Sequence, residues 1–141
     1  MEIRYTNGRE KWIMTIRDVK EILGAEVLTG EELLDTVVES GCGADLMSDV
    51  LAFVKHRTVL ITGLINQHVV RTSEMLDISC IVFSRGKRPG EDILEEAEEA
   101  GIAVLSTPLT TYTCCGELYM RGLTGAKQHA SVTGAAEEAG R

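Results

Sequence analysis

The runs TVLITG (residues 58–63), IVFSRG (residues 81–86) and VLSTP (residues 104–108) decide the fold. Each begins with short, largely β-branched apolar residues and ends at a glycine or proline, which is typical of a buried strand. A helical pattern follows each run. Strands that alternate with helices predict a parallel sheet with covered faces. We therefore expect an α/β fold of three layers, in which helices cover both faces of a mainly parallel sheet.

The same three runs carry hydroxyl side chains at matching places. Thr62, Ser84 and Thr107 each stand at the end of a predicted strand, 22 and 23 residues apart, a normal length for one β-α unit. In parallel sheets of this kind, ligands bind outside the carboxyl ends of the strands. We therefore expect the three loops that begin at these residues to meet at one edge of the sheet and to form the binding site.

Length, charge and cysteine spacing restrict the class of protein. The 141 residues suit one domain, and the net charge of -8 argues against a nucleic-acid partner. The chain has no signal peptide and no apolar run long enough to span a bilayer, which predicts a cytoplasmic protein without a membrane partner. No CxxC spacing occurs, so we expect reduced, metal-free thiols at Cys42, Cys80, Cys114 and Cys115.

The N-terminal part of the chain is less regular than the repeated unit. Residues 1–14 contain the turn signal Asn7-Gly8 and fit either a hairpin or a flexible lead-in. Thr15 and Asp18 resemble a capping box at the start of a helix, and a short strand is expected at Ala25–Leu28.

Two later segments set the expected domain boundaries. Residues 31–42 fit a helix or a strand, and we favour a strand. Residues 45–55 carry apolar side chains around most of a helix, which predicts a largely buried helix. Residues 124–141 have hardly any large apolar side chains and predict a disordered tail, so the α/β domain is expected at residues 15–123.

A basic loop follows the second predicted strand. Ser84-Arg85-Gly86-Lys87-Arg88-Pro89 places three cations at the start of a helix, where free N–H groups and the helix dipole favour anions. Arg85 or Arg88 could bind a phosphate through two hydrogen bonds. The alternative is a solvated basic turn that offsets the acidic helix after it.

The remaining candidate residues are mostly hydroxyls. Of Thr110, Thr111 and Thr113, one must cap the last helix, predicted at Thr113–Arg121, and the others are free for a ligand or for loop hydrogen bonds. Asn66 follows Thr62 in the first loop. The edge predicted to bind a ligand therefore consists of Thr62, Asn66, Ser84, Arg85, Lys87, Arg88, Thr107, Thr110 and Thr111.

Three other chemistries are weaker. His68 is a lone histidine at a helix start, more typical of a structural or exposed residue than of a general base. Asp45 and Asp49 lie four apart, but two carboxylates are too few for a metal. Cys114-Cys115 lies at a helix start, where a thiolate would be stabilised. No catalytic residue, cofactor or metal is therefore assigned.

The order of motifs from Thr15 to Leu123 resembles the DRTGG domain family. The most specific pieces are residues 43–53, residues 62–66, residues 71–78 and residues 107–113. The sequence departs from the family name where Leu64-Ile65-Asn66 and Ser84-Arg85-Gly86 stand in place of the expected motifs. The resemblance is closest to small stand-alone members found with iron-only hydrogenase and electron-transfer genes, and the fold also resembles the N-terminal domain of HPr kinase.

The resemblance implies an α/β domain that self-associates and has no assigned activity. Together with the loop chemistry, it favours a non-catalytic regulatory or scaffolding module that is homodimeric and senses a small anionic or nucleotide ligand, with hydrogenase or electron-transfer proteins as partners. The alternatives are a phosphoryl-handling enzyme or phosphocarrier, and a thiol-based redox accessory protein.

Overall fold

The repeated apolar runs form the centre of a five-stranded sheet. The computed structural model describes residues 2–6, 8–54 and 56–125. The elements are β1 (Glu2–Thr6), β2 (Arg9–Thr15), α1 (Ile16–Leu23), β3 (Glu26–Thr29), a 3-10 helix (Glu31–Leu33), β4 (Val37–Val38), β5 (Ser40–Gly43), α2 (Met47–Phe53), β6 (Thr58–Thr62), α3 (Gln67–Met75), β7 (Ile78–Phe83), α4 (Glu91–Ala100), β8 (Ala103–Ser106) and α5 (Thr111–Met120).

The main sheet confirms the predicted fold class. Its strand order is β3-β8-β7-β6-β5, and β5 to β8 run parallel to one another. Only β3 pairs antiparallel, on β8 at one edge of the sheet. Antiparallel edge strands on an otherwise parallel sheet are common, because an edge strand has a neighbour on one side only.

Two apolar clusters lie on opposite faces of this sheet, as the three-layer prediction requires. Along β6, Val59 and Ile61 pack with α1 and α5, whereas Leu60 packs with α2, α3 and α4. Successive side chains of a strand point to opposite faces, so an uninterrupted apolar strand contributes to both clusters. Every residue of β6 is buried.

The N-terminal segment is a hairpin, the first of the two alternatives. Strands β1 and β2 pair antiparallel, with Ile3 opposite Trp12, and Gly8 between them has φ +75°. Strand β2 also pairs with β4 and so joins the hairpin to the domain. Thr15 then caps α1, and the capping box with Asp18 is confirmed.

Two predicted elements in the N-terminal half of the chain differ from the structure. The segment 31–42 is a 3-10 helix followed by β4 and the start of β5, rather than one strand. Helix α2 is shorter than the predicted 45–55 and is not largely buried: Val50 is buried, but Leu46, just before the helix, and Leu51 are 61% and 47% exposed. Helix α2 lies against α3 near the β5 edge, so only one of its sides meets the core.

The C-terminal end of the described chain still touches the sheet. The carbonyl of Thr124 accepts a hydrogen bond from the N–H of Gly41 in β5, at 2.9 Å. The rest of the expected tail, from residue 126 onward, lies outside the described residues. Among the described helices, none is both long and apolar enough to cross a bilayer.

Candidate functional site

The loops after the parallel strands meet at one edge, as the sequence predicts. The N–H of Ser84 donates to the carbonyl of Thr62 at 3.0 Å, and the N–H of Thr107 donates to the carbonyl of Phe83 at 3.0 Å. The loop after β5 joins them through the N–H of Ala44, which donates to Ile61 at 3.1 Å. We call this surface, formed by residues 44–46, 62–66, 84–89 and 107–111, the strand-end edge.

Asp45 is the residue of this edge that the sequence analysis did not assign to the site. Its Oδ1 accepts hydrogen bonds from the hydroxyl of Thr62 at 3.0 Å and from the N–H of Gly63 at 2.9 Å. The Gly63 bond, the Thr62 bond and the charges of Arg85 and Lys87 lower the pKa of Asp45, although partial burial opposes them. The edge therefore contains a fixed carboxylate beside its cations.

Arg85 occupies an unusual backbone conformation at the same place. Its φ is +58° and that of Gly86 is +70°, and the N–H of Lys87 donates to the carbonyl of Ser84 at 3.2 Å, so residues 84–87 form a type I′ turn. The Arg85 guanidinium lies over Gly63, since a Cβ added there would be 2.9 Å from Nη2. A Cβ at position 63 would displace the Arg85 guanidinium, which is the far end of a flexible side chain.

Two backbone donors of the basic loop are already used within the protein. The N–H groups of Arg85 and Gly86 donate to the carbonyls of Leu109 and Thr107, both at 2.7 Å. The loop after β8 packs against the turn and takes up these donors. An anion at this edge would therefore be bound by the exposed side chains of Arg85 and Lys87, neither of which forms an ion pair within the described residues.

Arg88, the third cation of the loop, is already paired. Its guanidinium forms two hydrogen bonds with the carboxylate of Glu26 in β3, the longer one at 3.4 Å. Hydrogen bonding to Arg88 and its charge lower the pKa of Glu26. Arg88 therefore fastens the loop to the edge strand, and the pair leaves it less available for a ligand.

The hydroxyls of the edge serve different purposes. Ser84 is buried and its hydroxyl lies 2.6 Å from that of Thr111 in the first turn of α5. Thr110 is the N-cap of α5, so this helix begins two residues earlier than predicted. Thr107 is buried and its hydroxyl donates to the carbonyl of Leu23 at 2.7 Å, which makes it a structural residue. The hydroxyl of Thr62 already donates a hydrogen bond to Asp45.

Asn66 and His68 take no part in these contacts. Asn66 precedes α3, but its side chain does not cap the helix, and its Oδ1 is shielded from solvent with no hydrogen-bond partner within the described part of the chain. His68 is exposed in the first turn of α3. Nothing at this edge positions His68 against a nucleophile.

The cysteines do not have the environment of reactive thiols. All four are free, and burial raises the pKa of each of them, that of Cys114 to about 11. Cys114 packs in the α5–sheet interface, so desolvation overrides the helix-start effect that the sequence suggested. The described residues contain no group of three or more metal-ligating side chains. Reduced, metal-free thiols stay a prediction.

Comparisons with known proteins agree with this architecture. The chain is similar to a crystal structure of the CBS and DRTGG domains of the regulatory region of Clostridium perfringens pyrophosphatase, complexed with its activator, diadenosine tetraphosphate. The TM-score is 0.61 at 19% identity, and the match covers 78% of this chain and 50% of the other, so this chain spans half of its neighbour's length. No curated protein sequence matches it. Residues 18–119 match the DRTGG domain, and the chain belongs to the DRTGG domain family.

Proposed function

We propose that this chain is a non-catalytic regulatory or scaffolding module that binds a small anion of the nucleotide or phosphate class at the strand-end edge. The observation that carries the proposal is the Arg85 guanidinium, which lies over Gly63, is exposed, and has no ion-pair partner among the described residues. Lys87 adds a second exposed cation two residues away. Arg85 can bind a phosphate oxygen with charge-assisted hydrogen bonds.

The structural neighbour supports a regulatory role. In that protein a DRTGG domain is part of a regulatory region whose structure contains a nucleotide activator. That regulatory region contains CBS domains as well as the DRTGG domain. We therefore extend only the ligand class, a nucleotide or another phosphate, to this protein.

The chemistry of the edge favours binding over catalysis. The Asp45 carboxylate is fixed by two donors and its pKa is lowered, so it is a poor proton carrier at neutral pH. The thiols have raised pKa values, which argues against the redox alternative. His68 stands alone and exposed. These groups suit the holding of a ligand.

We also propose that the module is a cytoplasmic homodimer, with residues 15–123 as the domain and the hairpin β1–β2 as an appended arm. Exposed apolar side chains support self-association, since Leu46, Leu51 and Met75 lie on or beside α2 and α3, which are in contact. Hydrogenase or electron-transfer proteins are the partner class that the family resemblance suggests.

Thermal-shift and calorimetric titrations with diadenosine tetraphosphate, ATP and tripolyphosphate test the anion site. A ligand that binds only the folded state stabilises that state by about 2.7 kcal/mol when the free ligand concentration is 100 times its Kd. Arg85→Ala should weaken binding by about 1.5–3 kcal/mol, the contribution of a charge-assisted hydrogen bond. Arg88→Ala is the matched control, because it removes the same charge from the same loop but from a residue paired with Glu26.

Three results would contradict the proposal. If none of the three phosphates binds the unaltered protein at millimolar concentration, the basic loop is only a solvated turn. If Arg88→Ala weakens binding as much as Arg85→Ala does, the loop acts through its net charge and the position of Arg85 over Gly63 has no importance. Unfolding of the Arg85→Ala variant would show that Arg85 is a structural residue.

A further inference from the structure

One of the two carboxylate oxygens of Asp45 is occupied by hydrogen bonds from the described residues. Oδ1 accepts from both Thr62 and Gly63, whereas Oδ2 accepts no hydrogen bond from any residue that the structure describes. Asp45 as a whole is an exposed residue. The two bonds hold the Asp45 side chain in one orientation. Ligand binding therefore costs little additional side-chain entropy at this residue.

The fixed acceptor and the exposed cation both lie next to one residue, Gly63. Gly63 donates its N–H to Asp45, and its bare α-carbon lies under the guanidinium of Arg85. A ligand that contacts both must offer a hydrogen-bond donor to the carboxylate and a negative charge to the guanidinium. A phosphate with no protonated oxygen satisfies the second requirement but has no donor for the first, and the carboxylate repels it.

We propose that the strand-end edge selects organic phosphates that carry a free hydroxyl, with Asp45 accepting the hydroxyl and Arg85 binding the phosphate. A nucleotide meets both requirements through its ribose and its phosphates, and acidic side chains bind ribose hydroxyls in other α/β sheets. This inference rests on the proposed function, since it presupposes that a phosphate binds at Arg85. It adds that Asp45 determines specificity.

Asp45 also has a structural role, because it accepts hydrogen bonds from Thr62 and Gly63. The experiment must separate this role from the binding of a ligand hydroxyl. The discriminating pair of ligands is ATP and 2′,3′-dideoxy-ATP, which have the same base and triphosphate and differ in the ribose hydroxyls. A polar site built to bind a hydroxyl discriminates strongly against an analogue that lacks it. We expect ATP to bind the unaltered protein ten- to a hundredfold more tightly than dideoxy-ATP.

Asp45→Asn is the test variant, because its amide oxygen can still accept from Thr62 and Gly63 while the charge is removed. We expect the preference for ATP over dideoxy-ATP to fall to about threefold or less, and tripolyphosphate to bind at least as tightly as before, because a repelling charge is gone. A merely structural Asp45 would change the affinity for all three ligands by the same factor.

The outcomes separate this inference from the proposed function. Equal affinities of the unaltered protein for ATP and dideoxy-ATP would overturn the inference, and they would leave anion binding at Arg85 in place. An undiminished preference for ATP in Asp45→Asn would also overturn it. If ATP, dideoxy-ATP and tripolyphosphate all fail to bind the unaltered protein, the proposed function falls and the inference with it.

Discussion

The left-handed conformation of Arg85 gives the sharpest stability prediction. Residues other than glycine lose roughly 1–2 kcal/mol in this region because Cβ approaches the following carbonyl oxygen. Arg85 has φ +58° and forms no ion pair within the described chain that would offset this loss. Glycine would relieve this left-handed strain, and residues in sparsely populated backbone conformations commonly cluster at binding sites.

Arg85→Gly and Arg85→Ala form a matched pair for this purpose. Both remove the guanidinium, but only glycine relieves the left-handed strain. Glycine also loses roughly 0.5–1 kcal/mol of chain entropy on folding relative to alanine. The difference leaves Arg85→Gly more stable than Arg85→Ala by about 0.5–1 kcal/mol, or about 2–3 °C in Tm for a chain of this size.

Urea unfolding measures this difference, with Tm as a second reading. Both variants should have the same m-value, because the surface that unfolding exposes is nearly unchanged. Both should also lose phosphate affinity to the same extent. If Arg85→Gly is no more stable than Arg85→Ala, the left-handed turn carries no strain, and the argument that Arg85 is kept for binding fails.

Three further predictions concern acid stability, assembly and thiol chemistry. The pKa of Asp45 is lowered from 3.8 in the folded state, so its ionised form stabilises the fold above that pH and the stabilisation is lost as the pH falls through the lower folded value. The Tm of Asp45→Asn should therefore decline less steeply than that of the unaltered protein below about pH 4, and parallel curves would disprove this. Light scattering at micromolar concentration should give twice the chain mass of 15.4 kDa, whereas a monomer mass would reject the dimer. Thiol titration of the unfolded, anaerobically purified protein should find four reduced cysteines per chain, and stoichiometric metal in the same sample would contradict the metal-free prediction.

Local pattern was sufficient to predict the three central strands of the sheet and most of the helices. The run Val59-Leu60-Ile61 is apolar without interruption, as is typical of a parallel strand that is covered on both faces, and all three residues are buried. The capping box at Thr15 involves residues only three apart, so the sequence shows it directly. Because the carboxyl ends of parallel strands meet at one edge, the approximate place of the site followed from the order of elements alone.

The contacts within the site could not be predicted in the same way. Asp45 lies 17 residues from Thr62, and Glu26 lies 62 residues from Arg88, so both pairings depend on the folded arrangement. Nothing in the sequence of the basic loop shows that the carbonyls of Leu109 and Thr107 accept its N–H groups. The loop therefore resembled an open anion-binding site. Glycine at position 63 was the one available signal of a close approach, and it does not reveal which side chain approaches.

The two borders of the main sheet have a consequence for assembly. An exposed sheet border invites another strand to add, which is how many proteins aggregate. Here β5 is only four residues long and the chain near Thr124 bonds to its outer side, while β3 has an irregular register after Val27 and carries the charged pair Glu26–Arg88. Both features discourage strand addition at the main sheet, so this sheet is not expected to continue from one copy of the protein to the next.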